Sequence, residues 1–63
     1  MILKVNFRWN RPSLNGGLGD WEEKFVLIDG ETAEELNKKI DDYIQTNSSE
    51  YQKNMFAQSI EKL

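Results

Sequence analysis

The stretch Leu3-Lys4-Val5-Asn6-Phe7-Arg8-Trp9-Asn10 places an apolar residue at every odd position and a polar one at every even position. Successive side chains of a strand point to opposite faces, so this strict alternation predicts a strand over about 2–10 with one buried and one wet face. Its odd residues then need something apolar to lie on. Downstream, Arg11 to Asp20 carries Pro12, Asn15, Gly16, Gly17 and Gly19, which break both helical and strand periodicity and predict a loop. Strand character returns over about 21–29, where Phe25-Val26-Leu27-Ile28 is rich in aromatic and branched residues. Four apolar residues in a row predict that both faces of this second strand are covered near its end.

Asp29-Gly30 ends the hairpin, and Thr32-Ala33-Glu34-Glu35 has the form of a capping box, with a hydroxyl and a carboxylate each placed to satisfy an orphan backbone group. A helix is predicted over about 32–46. Ala33, Leu36, Ile40, Tyr43 and Ile44 fall on one stripe, while Glu34 with Lys38 and Glu35 with Lys39 form favourable pairs elsewhere on the surface. Ser49-Glu50-Tyr51-Gln52 offers a second capping box, and Tyr51, Met55, Phe56, Ile60 and Leu63 recur at three and four, so a second helix is predicted over about 49–62. Phe56, Gln58 and Ile60 also alternate, which makes a third strand, and hence a ββαβ order, the competing reading. Either way the expectation is one small two-layer α+β domain over 1–63, its antiparallel hairpin packed on one or two helices. Leu3, Val5, Phe7 and Trp9 should meet Leu36, Ile40, Tyr43 and Ile44.

Composition narrows the chemistry. The 63 residues are 38% hydrophobic and 30% charged, with no histidine and no cysteine. That excludes disulfides, Cys/His metal sites, thiolate nucleophiles and histidine-based catalysis. Neighbouring carboxylates such as Glu22-Glu23 and Asp41-Asp42 diverge on a strand or a helix and cannot work as a facing pair. No alternating oxygen spacing of a calcium loop occurs. The reading is therefore a protein without catalytic residues, metal or cofactor.

Charge is unevenly spread: the net value is -3, yet Met1 to Leu18 holds Lys4, Arg8 and Arg11 and no acid. A general attraction to polyanions is not expected of the acidic remainder. The N-terminal residues are interrupted by charge before a signal core forms, and no window approaches the about 18 apolar residues of a span, so a cytoplasmic location is expected.

With catalysis set aside, recognition of another protein is the leading expectation. Arg8, Trp9, Arg11, Leu14, Leu18 and Trp21 are the candidate contact residues, because Trp and Arg anchor interfaces and leucines in a glycine-rich loop have little core to enter. An acidic helix face of Glu34, Glu35, Asp41 and Asp42 is a secondary surface, one that would steer toward a basic partner. The profile is the one associated with small regulators or inhibitors of phages and mobile elements, acting by occluding a partner. Two alternatives stand beside it. Arg8, Arg11, Ser13, Gly16 and Gly17 could hold a small anion or nucleotide at an oligomer interface, since consecutive backbone N–H groups of a glycine-rich turn cradle anions. A single-stranded nucleic-acid binder is less expected, for three cations on an acidic chain are few. So small a core, with exposed sheet edges, also predicts a homodimer or higher homo-oligomer.

Overall fold

The computed structural model describes residues 1–13 and 19–63. The alternating stretch forms β1 (Ile2–Asn10), the second apolar run forms β2 (Trp21–Asp29), the capped segment forms α1 (Ala33–Asn47), and the chain ends in β3 (Lys53–Lys62). The sheet order is β2-β1-β3, with both outer strands antiparallel to β1. The strand read first in the sequence is thus the central one. Because β2 and β3 run the same way, α1 carries the chain from one edge of the sheet to the other. This is a small α+β domain in ββαβ order.

The helix predicted over 49–62 is replaced by β3, and the competing strand reading holds. Ser49 and Gln52 exchange backbone hydrogen bonds at 3.3 and 3.1 Å, and the Ser49 hydroxyl accepts from the Tyr51 N–H. The residues that resemble a capping box therefore make a tight turn that feeds a strand. The deciding force is non-local, since without β3 one side of β1 would carry unpaired backbone groups.

Packing follows the alternation of β1. Val5 and Phe7 are fully buried and Trp9 nearly so, and they share a core with Ile28, Leu36, Ile40 and Met55. The Phe7 and Tyr43 rings stack at 4.2 Å between centroids, which pins the helix to the central strand. Leu3, Val26, Tyr43, Ile44 and Ala57 pack around this cluster, whereas Ala33, at the start of the predicted stripe, is exposed. Thr32 caps the helix by accepting from the Glu35 N–H at 3.1 Å, and the Glu35 carboxylate reaches back to the N–H of Glu31.

Close approach requires glycine at Gly19, and at Gly30 an added Cβ would make the Leu36 side chain shift. A Cβ on Gly30 would lie 2.9 Å from the Leu36 side chain, and one on Gly19 would lie 1.4 Å from the Arg11 carbonyl oxygen. Gly19 sits where the described loop residues close on each other, beside the 2.9 Å bond from the Arg11 N–H to the Asp20 carbonyl.

Candidate functional site

With α1 on the odd-residue face of β1, the even residues Lys4, Asn6, Arg8 and Asn10 form the middle of the other face. Register then decides which side chains flank them. Opposite them on β2 stand Leu27, Phe25, Glu23 and Trp21, and on β3 Phe56 stands opposite Arg8. Among the described residues no element covers this face. Trp21, Phe25, Leu27 and Phe56 are 47%, 54%, 64% and 42% exposed. The expectation that both faces of β2 are covered near its end fails here: Ile28 is buried and Val26 half-buried, but Phe25 and Leu27 face out.

The face is organised, not merely bare. Trp21 and Phe56 meet edge to face at 6.0 Å across the width of the sheet, and the Arg8 guanidinium lies 5.6 Å from the Trp21 ring. Lys4 sits 4.7 Å from the Phe25 ring. Between these pairs Asn6 is buried, and its amide N–H₂ donates to Glu23 at 3.1 Å and Gln58 at 3.2 Å, tying all three strands. Those two acceptors fix the amide orientation and leave Asn6 Oδ1 without a hydrogen bond. Asn10, also buried, donates to the Gly19 carbonyl at 3.1 Å. In the strand register Lys4 stands opposite Glu61, Arg8 opposite Glu23 and Lys53 opposite Asn10.

Of the candidate contact residues, Arg8 and Trp21 come together on this face. Trp9 does not join them. It lies on the helix side and is 7% exposed, because its odd position puts it with Val5 and Phe7. Arg11 is exposed near the hairpin tip, where it pairs with Glu22 at 3.2 Å. Leu14 and Leu18, with Gly16 and Gly17 of the anion reading, lie outside the described residues. Phe25, Leu27 and Phe56 are members of the face that the sequence reading missed, while Lys4 enters that reading only among the cations of the nucleic-acid alternative. The signal that finds them is residue parity combined with strand register, and register depends on which strands pair.

A depression of about 440 Å³ near the tip is lined by Arg11, Pro12, Ser13, Glu50, Tyr51 and Lys53. It brings Arg11 and Ser13 of the anion reading beside a second cation, Lys53, with one carboxylate among them. Among the described residues no three acidic, His or Cys side chains are grouped so as to hold a metal ion. Among the described residues no helix is long and apolar enough to cross a membrane. The acidic helix residues Glu34, Glu35, Asp41 and Asp42 are all exposed. No protein-family model, curated protein or solved structure matches the chain.

Proposed function

We propose that this chain is a non-enzymatic protein-interaction module, a small regulator or inhibitor that occludes a partner protein with the open face of its sheet. One observation carries the reading: Trp21, Phe25 and Phe56 stand exposed on the face of Arg8, which no element among the described residues covers. Exposed aromatic side chains gathered on one face favour an interaction surface, and Trp and Arg contribute most to binding where water is excluded around them. Acids opposite Lys4 and Arg8 in the register, Glu61 and Glu23, favour a protein over a nucleic acid, whose binding draws on uncompensated cations. The depression beside Arg11 and Lys53 supports the second reading, a small anionic ligand.

The two indoles make the test direct. Trp21 is exposed and Trp9 buried, so partner docking should shift Trp21 emission to the blue while a Trp21→Phe chain, reporting Trp9 alone, stays constant. A protein captured by the native chain should be lost by Trp21→Ala with Phe56→Ala at unchanged circular dichroism. Capture that survives both substitutions excludes this face. Thermal stabilisation by nucleotides that disappears in Arg11→Ala would transfer the function to the depression.

A further inference from the structure

The two edges of the sheet differ. Along β3 the pairing with β1 shifts register twice, between Asn6 and Phe7 and between Arg8 and Asn10, and Asn54 takes a left-handed φ of 58°. Such irregularities twist an edge and blunt it against further pairing. β2 has none of them. It pairs with β1 residue for residue from Trp21 to Asp29, contains no proline or glycine, and ends the sheet on its outer side. Its outward N–H and C=O groups lie beside Phe25 and Leu27, more than half exposed. A long, regular edge with exposed apolar side chains at Phe25 and Leu27 is a template for another strand.

We propose that β2 is a self-association edge, through which two copies pair antiparallel about a two-fold axis at Phe25 to make one six-stranded sheet. The register follows from charge. A two-fold axis perpendicular to the sheet keeps each face on its own side, so opposed residues share a face and the axis falls on a residue. An axis at Glu22, Glu23 or Lys24 sets a like charge against itself. One at Val26 opposes Glu23 to Asp29, and one at Leu27 or beyond leaves Trp21 to Lys24 unpaired. Only the axis at Phe25 engages all nine residues of β2 and opposes no like charges. It sets Phe25 against itself, Leu27 against Glu23, Lys24 against Val26, Glu22 against Ile28 and Trp21 against Asp29. The edge is about 30 Å long and offers on the order of 600 Å² per copy, which reaches the lower end of stable dimer interfaces. The pairing is independent of the protein-binding reading, leaves the open face free, and joins two such faces side by side.

The chain has no cysteine, so one introduced thiol reports one position. At high micromolar concentration the native chain should sediment at twice 7.4 kDa. A short thiol cross-linker should then capture Phe25→Cys as a covalent dimer, because opposed Cβ atoms lie about 5 Å apart. Leu27→Cys should not be captured, its twin being about 13 Å away along the strand, and neither should Ile60→Cys on the opposite edge. Because Leu27 faces the partner's Glu23, Leu27→Glu should weaken association several-fold and Leu27→Lys should strengthen it, with circular dichroism unchanged in both. A native chain that stays at 7.4 kDa overturns the proposal. So does a dimer captured through Ile60→Cys or Leu27→Cys in place of Phe25→Cys, or one weakened equally by both charges at Leu27.

Discussion

Glu35 joins two devices at the start of α1. Its carboxylate accepts from the Glu31 N–H at 3.1 Å and pairs with Lys39 at 3.4 Å. The backbone hydrogen bond first, and Lys39 second, hold its pKa below the ordinary value of 4.5. A carboxylate whose folded pKa is depressed binds its proton more readily in the unfolded chain. Its stabilisation is therefore complete above the unfolded value and is lost as pH falls through the folded one. Glu35→Gln should lower the melting temperature at neutral pH, and the gap to the native chain should close as pH is taken well below 4.5. A gap that is constant with pH would show that the ionised carboxylate contributes nothing. The side chain is exposed, so the effect should also shrink with added salt.

At the scale of the element, β3 is the segment in which two patterns compete. Tyr51, Met55, Phe56, Ile60 and Leu63 have helical spacing, while Phe56, Gln58 and Ile60 alternate, and local propensity does not separate them. Asn54 marks the outcome, since its φ of 58° fits the irregular start of a bulged strand and has no place in a right-handed helix. Asparagine tolerates that conformation and a β-branched residue does not. Asn54→Val should cost about 1–2 kcal/mol in denaturant unfolding, and Asn54→Gly should cost little or nothing. Equal effects of the two would remove backbone strain as the cause. β1 and α1 were legible because each carries its own period, Leu3 to Asn10 at two and Leu36 to Ile44 at three to four. Trp9 was legible as core for the same reason. The role of β3 was not, because what decides it is the unpaired side of a strand far away in sequence. The exposure of Phe25 and Leu27 was hidden for a related reason. Periodicity assigns residues to faces, but the existence of a layer over a face depends on how many helices the chain supplies, and the described residues supply one.

At the scale of the whole molecule, stability depends on how α1 packs on the sheet. The described core contains seven buried apolar residues, and only Leu36 and Ile40 of these come from the helix. A chain of this length has a total stability of about 3–9 kcal/mol at the usual 0.05–0.15 kcal/mol per residue. Truncating a buried leucine to alanine costs about 2–5 kcal/mol, through lost burial and the cavity left behind. Leu36 also fills the space against Gly30, so the hole opens at the junction of helix and β2, where the backbone has little room to collapse. Leu36→Ala should therefore remove much of that stability, seen as a broad, early thermal transition in which the near-ultraviolet signal from Trp9 and Tyr43 is lost at lower temperature. If two copies pair through β2, only folded chains can associate, and mass action should restore part of that signal as concentration rises. A Leu36→Ala chain whose melting curve matches the native one would mean that the helix is not what holds the sheet together. The covering layer would then have to come from elsewhere.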